Sequence, residues 1–269
     1  MKKTGLSLSV VIITFNEERN IARCLQSLKF SDKLFKSKEI ILVDSFSQDK
    51  TVSVARSKGV KVFQRAWKGY SNQKSWALGR CKGDWVLCLD ADEELTPELI
   101  REMERLVPST PPGVDGYLIK RRNIFLGKWI KHCGWWPDSQ LRLIKAKSGW
   151  FTDAAVHEGL EVKGRTLEFD EPMNHYSNDS IFQYLEKMNR YSSLAIVKVK
   201  PKKIRYWWFY VTVFPCLVFF RMFVTRKGFL DGWHGLVVCG LSAFHDFCKY
   251  AKLWEKEILK RGPARDWMK

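Results

Sequence analysis

The sequence predicts an α/β fold in its first half, a mostly parallel sheet flanked by helices, followed by a helical, basic C-terminal region. Three observations predict it. Four short apolar runs rich in β-branched residues alternate with helical stretches of about 10 to 15 residues, the rhythm of right-handed crossovers between parallel strands. Three of the four runs end in an oxygen-bearing side chain. The final third changes character, losing acidic residues and gaining aromatic ones.

Taken in order, Leu8–Thr14 is a strand apolar enough to be covered on both faces. Asn16 is expected to cap a helix, with Glu17 and Glu18 in its first turn and Ile21, Leu25 and Leu28 as its buried stripe. Glu39–Asp44 is the second strand, and Asp49–Lys58 a short helix closed by Gly59. Val60–Phe63 is the third strand, Ser71–Lys82 a helix and Trp85–Asp90 the fourth strand. Thr96 and Pro97 start another helix, with Leu99, Met103 and Leu106 facing inward. Sheets of this kind bind ligands at the carboxyl ends of their strands. The sequence places Thr14, Asn16, Asp44, Asp90 and Asp92 there.

Forty-six Lys and Arg against 29 Asp and Glu give a net charge of +17 over 269 residues, which calls for a polyanionic partner. The seven cysteines form no C-x-x-C pair and lie mostly in apolar segments. That suits reduced thiols rather than a disulfide scaffold or zinc site. Leu8–Thr14 is too short and strand-like for a signal-peptide core, so export is not expected. No G-x-x-x-x-G-K-[ST] loop occurs, nor a G-x-G-x-x-G after the first strand. NTPase and classical dinucleotide folds are thereby disfavoured.

In an extended segment, residues two apart point the same way, so Asp90 and Asp92 can share one ion or its water shell. Mg²⁺ or Mn²⁺ takes hard oxygen ligands and keeps a diphosphate in its shell. Glu93 and Glu94 read as ordinary helix-entry charges.

These residues resemble a known family. Val10 through Glu17, the Val43–Ser45 strand end and Gly83 through Glu93 resemble the family 2 glycosyltransferases of the GT-A fold. Gly69–Lys74, Pro137–Asp138 with Leu141–Leu143, Val156–Glu158 and Gly228–Gly232 resemble the branch that adds glucose to heptose in the lipopolysaccharide inner core. A catalytic domain is expected over residues 1–178, and the residues beyond it read as a membrane-interface region over 179–269. The resemblance implies that Thr14 and Asn16 line a nucleotide pocket, that Asp44 meets the uracil or ribose, that Lys74 faces the diphosphate, and that Asp90 and Asp92 hold Mg²⁺ or Mn²⁺. It further implies an inverting single displacement, with a carboxylate taking the acceptor proton. Glu158 is the expected general base, with Asp138 its rival and Asp153 a third candidate. His157 is a further metal ligand, an orienter of the base, or structural, and His175 shares that ambiguity. Trp135 and Trp136 are candidates for stacking on a sugar. Lys120, Arg121, Arg122 and Arg142 are candidates for phosphate contacts.

In the final third, a helix is expected from Asp179 or Ser180 with Ile181, Tyr184, Leu185, Met188 and Tyr191 on one face. No acid occurs from Lys187 to Leu230, among ten Lys and Arg. Tyr206–Phe220 is uncharged but short of the roughly 20 residues that span a bilayer, and Pro215 is expected to interrupt it. Aromatic residues flanked by cations suit a bilayer interface. The expected partners are therefore a nucleotide-sugar donor, a lipid-linked glycan acceptor and an anionic membrane surface, with the protein held peripherally at the inner face of the cell membrane. Competing readings are transfer to a polyprenyl phosphate or another envelope glycan, a basic nucleic-acid-binding protein, and an inactive sugar-binding scaffold. No nucleic-acid-binding motif supports the second.

Overall fold

The structure is a computed structural model describing residues 5–31, 34–152, 159–178, 180–198 and 206–260. It divides into two compact units, Met1–Asn123 with Pro137–Ser177, and Ile124–Trp136 with Asn178–Lys269.

The first unit is built on β1 (Leu6–Thr14), β2 (Phe35–Asp44), β3 (Lys61–Gln64) and β4 (Trp85–Asp90). They pair in parallel in the order β3-β2-β1-β4. Strand β1 is apolar on both sides for a structural reason. Val10 and Ile12 enter one core, while Val11 and Ile13 enter the core on the opposite face. Helices α1 (Ile21–Ser27), α2 (Thr51–Ser57), α3 (Tyr70–Leu78) and α4 (Pro97–Leu106) connect and cover the sheet. Thr96 caps α4 as its sequence suggests, its Oγ1 accepting from Leu99 N–H at 3.2 Å with proline at the first turn.

Beyond β4 the sheet turns antiparallel. Strand β5 (Glu93–Glu94) lies at one end, followed in sequence by β6 (Val114–Phe125), β7 (Lys128–Trp129) and β8 (Ser139–Lys145). Next come β9 (Gly149–Phe151), β10 (Leu160–Val162), β11 (Arg165–Glu168) and β12 (Met173–Asn178). Strand β8 runs antiparallel to both β4 and β6, and β12 pairs antiparallel with β5.

Two expectations need correction here. Asn16 caps no helix, because α1 begins only at Ile21 with Asn20 at its cap. Asn16 instead adopts a left-handed φ of 55°, a conformation Asn tolerates. Its Oδ1 accepts from Gln48 N–H at 2.9 Å and its own N–H donates to Ser47 Oγ at 2.8 Å. Glu93 is no helix-entry charge either. It is 1% exposed and sits in β5.

The second unit contains α5 (Ile181–Lys198), α6 (Phe214–Phe220) and α7 (Gly232–Lys260). Pro215 does not break its helix. The chain stays helical, with π-helical turns at Phe209–Val213 and Arg221–Thr225 on either side of α6. A wider turn accommodates the missing N–H without ending the helix. On α5 the buried positions are Met188 and Ser192, whereas Ile181 and Tyr191 are exposed. Tyr184 and Met188 thus face inward as expected, and Ile181 and Tyr191 do not. Phe125, Ile130, Cys133, Met222, Val238 and Cys239 form this unit's core. Asp231 ties its segments together, accepting from His132 N–H at 2.8 Å and Lys131 N–H at 3.3 Å. Gly235 lets the start of α7 lie against Gly228, since a Cβ there would be 1.9 Å from Gly228 O.

Trp135 packs edge-on against Phe125 and Trp136 against Trp129. Among the described residues, no single helix is long and apolar enough to cross a membrane. The pair Phe209–Thr225 and Gly228–Ile258, bent by 71°, passes that test together by length and composition. All seven cysteines are free thiols.

Candidate active site

Strand register assembles the first part of the site. Thr14 is paired with Asp44, and Ile13 with Asp90, so three polar strand ends meet at one edge of the sheet. Thr14 Oγ1 donates to Asp44 Oδ1 at 3.0 Å, and Ser47 N–H donates to Asp44 Oδ2 at 2.9 Å. Gln64 Nε2, at the end of β3, reaches the same carboxylate at 3.5 Å. Asp44 is fully buried. These bonds make it the clasp of the β1–β2–β3 edge, with Asn16 and Ser47 on its rim.

The second part is a chain of paired charges. Asp90 accepts from Lys74 Nζ at 2.6 Å and from Arg142 Nη2 at 2.7 Å. Arg142 also binds Glu93 at 2.5 Å, while Glu93 Oε2 accepts from Asp90 N–H at 3.0 Å. Arg121 lies 3.4 Å from Glu93 and 2.7 Å from Asp138. Lys74, Arg121 and Arg142 thus match Asp90, Glu93 and Asp138 one for one. Burial alone would raise the Asp90 carboxyl, but Lys74 and Arg142 outweigh it and hold it well below the ordinary range. Burial likewise opposes ionisation of Asp138, and Arg121 with the hydrogen bonds of Asn123 and Gln140 overrides it.

The third part was not legible as a unit. Asn123 Nδ2 donates to Asp138 Oδ2 at 3.1 Å, which turns its Oδ1 toward His175 Nδ1 at 2.6 Å. A carbonyl oxygen only accepts, so His175 Nδ1 carries a proton. In the neutral ring Nε2 is then a lone pair, and it faces Asp92 Oδ2 at 3.5 Å. Two acceptors so placed favour a cation between them. That is the arrangement of a cation-binding pair whose imidazole is oriented by an amide behind it. Among the described residues no group of three or more His, Cys, Asp or Glu side chains is placed to hold a metal ion together. Asp92 and His175 supply two donors, which fits Mg²⁺ or Mn²⁺ when a diphosphate and water complete the shell.

Of the sequence candidates, Thr14, Asn16, Asp44, Lys74, Asp90, Asp92, Asp138 and Arg142 stand in this unit as described. Glu158, His157 and Asp153 lie outside the described residues. Their flanks do not. Thr152 N–H donates to Gly159 O at 3.0 Å, and Ser71 Oγ on α3 donates to Thr152 O at 2.7 Å. Lys74, one turn further along α3, reaches Asp90. Arg121 and Arg142 are committed to internal carboxylates, and Lys120 lies 3.7 Å from Glu168. Glu94 accepts from Asn174 and from Tyr176, whose ring lies under Arg23. Glu93, Asn123 and His175 are the residues that sequence reasoning missed or left undecided.

Residues 9–158 match the profile of Glycosyl transferase family 2. The chain belongs to that family. The glycosyltransferase is 34% identical over 279 residues to an uncharacterized glycosyltransferase of Rickettsia bellii (strain RML369-C), covering 93% of this chain and 87% of the other. It is 29% identical over 283 residues to the lipopolysaccharide core biosynthesis glycosyltransferase LpsC of Rhizobium meliloti (strain 1021), covering 97% of each. Among solved structures, S. aureus TarS 1–349 in complex with UDP-GlcNAc has a TM-score of 0.48 at 16% identity, covering 96% and 92% of the two chains. The mannosyltransferase PcManGT from Pyrobaculum calidifontis, in complex with GDP-Man and Mn²⁺, has a TM-score of 0.47 at 16% identity, covering 96% and 81%. The α/β fold of this glycosyltransferase, a mixed and mostly parallel sheet flanked by helices, is GT-A-like, with further helices at its C-terminal end.

Proposed function

We propose that the protein is a metal-assisted, inverting hexosyltransferase that moves glucose from UDP-glucose to a heptose of the lipopolysaccharide inner core. The observation that carries this reading is the Asp92–His175 pair, with Asn123 fixing the ring behind it. The core-biosynthesis name of the Rhizobium meliloti relative supports the acceptor class.

The reaction is one displacement. An acceptor hydroxyl oxygen bonds to C1 of the sugar as the bond from C1 to the phosphate oxygen breaks, and the hydroxyl proton passes to Glu158. Asp92 and His175 would hold the divalent ion. That ion, when bound, supplies positive charge to the leaving diphosphate. Lys74 adds a cation beside Asp90 and orients that carboxylate. Asn16 and the Asp44 clasp form the nucleoside end. Asp138 suits a positioning role better than that of base. One of its oxygens takes the Arg121 and Asn123 donors, and the other accepts from Gln140 at 2.8 Å. A carboxylate held so far toward its ionised form is a weak proton acceptor.

We place the enzyme peripherally at an anionic membrane surface, on the inner face of the cell membrane. The exposed aromatic residues of the C-terminal helices support this, as do the ten Lys and Arg in an acid-free stretch. Donor choice is tested by thermal protection and hydrolysis with UDP-glucose, UDP-galactose and other nucleotide sugars, followed by transfer to truncated core lipid. Protection by UDP-glucose with glucose appearing on a heptose-terminated core is the expected result. Transfer only to a polyprenyl phosphate would overturn the acceptor assignment.

A further inference from the structure

The C-terminal unit wears its apolar side chains outward. Along α7, Trp233, Phe244, Phe247, Trp254 and Ile258 are all exposed, Trp233 at 80%. At 100° per residue these five fall within about 80° of arc, over roughly 38 Å of helix. Glu255 borders the stripe. The polar residues lie elsewhere: Lys252 Nζ is turned onto α5, bonded to Asn189 Oδ1 at 2.6 Å, Ser192 Oγ at 2.7 Å and Ser193 Oγ at 2.9 Å. A helix on a water-exposed surface has the reverse arrangement, apolar side inward.

Within this face lies an open groove of about 420 Å³. One wall is Thr212, Cys216, Phe219 and Phe220; the other is Phe244 and Phe247. The volume is that of a small-molecule site, typically about 300–1,000 Å³. Its walls offer almost no hydrogen bonding, since Thr212 Oγ1 is already donated to Trp208 O. An extended peptide laid in such a groove would find no partners there for its backbone groups, whereas a hydrocarbon chain has none to satisfy. Phe220, Phe244 and Phe247 belong to both groove and exposed face, so the two surfaces are continuous. Arg221, Arg226 and Lys227, all exposed, follow at the end of the first helical segment. They bring the positive charge that an anionic headgroup layer attracts.

We propose that this groove binds one acyl chain of an anionic phospholipid drawn from the bilayer on which the aromatic stripe lies. The proposal rests on the membrane-surface reading above, and the test separates the two. The full chain is irradiated with lysophosphatidylglycerol carrying a diazirine in its single acyl chain, below its micelle concentration and without vesicles. Adducts are mapped by peptide mass spectrometry. In parallel, flotation is measured with vesicles of phosphatidylethanolamine and phosphatidylglycerol. Ala243→Trp and Cys216→Trp fill the groove from opposite walls, and Cys216 is exposed, so its substitution does not burden the core.

Adducts are expected within residues 211–220 and 243–247. Both variants should lower them at least fivefold while melting temperature and flotation are kept. Adducts that ignore both variants, or that map to Trp233 and Trp254 alone, overturn the groove. Flotation without groove adducts also overturns it while leaving the membrane reading standing. Groove adducts without flotation uphold the site and remove the membrane reading.

Discussion

The two units treat charge and apolar surface in opposite ways. In the N-terminal unit the informative residues are buried ions: Glu93 is 1% exposed and Arg142 6%, each neutralised by a partner distant in sequence. In the C-terminal unit the informative residues are exposed aromatics, while a lysine is folded inward onto hydroxyls and an amide. A buried charge is tolerated only when paired, and a large exposed apolar stripe marks an interaction surface. Each unit breaks the ordinary inside-outside rule where function is expected. The first breaks it to hold a strongly polar ligand, the second to meet a nonpolar environment.

The contrast can be broken by substitution. The largest effects are expected in the polar unit. Glu158→Gln should lower transfer by roughly a hundred- to ten-thousandfold while UDP-glucose protection against thermal unfolding persists. Asp92→Ala should cost about a hundredfold or more and remove the metal dependence of UDP release without lowering the melting temperature. Should Asp138→Asn stop transfer while Glu158→Gln does not, the base has been assigned to the wrong carboxylate.

Next in size is a stability effect. Arg142→Met leaves Asp90 and Glu93 short of a shared cation, and breaking a buried pair from one side costs about 3–5 kcal/mol. Denaturant unfolding should show that loss, and the further change Glu93→Leu should return part of it. A double variant no better than the single one would mean the network is not pairwise. In the apolar unit, Trp233→Glu should weaken vesicle flotation by roughly tenfold or more, given about 1.5–3 kcal/mol for burying a large apolar side chain. Unfolding in water should hardly change, because Trp233 touches little.

The smallest expected effect is acid sensitivity. Asp138 is held below its ordinary value despite burial, so it stabilises the fold fully above its unfolded value of about 3.9. That contribution disappears as pH falls through the lower folded value. Gln140→Ala removes one donor and should move acid unfolding to slightly higher pH.

Much of the fold could be read directly from the residues. Strand β4 has the expected bounds, Trp85–Asp90, because every residue before Asp90 is apolar and buried. Thr96 and Pro97 announce α4 through local chemistry. The misses are non-local. Asn16 looks like a cap until Ser47 and Gln48, some 31 and 32 residues away, claim its groups. Glu93 looks like a surface acid until Arg142, 49 residues later, is seen beside it. Asn123 carries no local signal at all, since its role depends on which strands lie next to β6. The α7 stripe was countable from spacing, but spacing does not say which side is left uncovered.

One-for-one charge matching between Lys74, Arg121, Arg142 and Asp90, Glu93, Asp138 has a consequence for descent. A lineage that reshapes this pocket for a different donor cannot alter these positions singly without stranding a counter-ion. Changes here should arrive in couples, an acid and a base together.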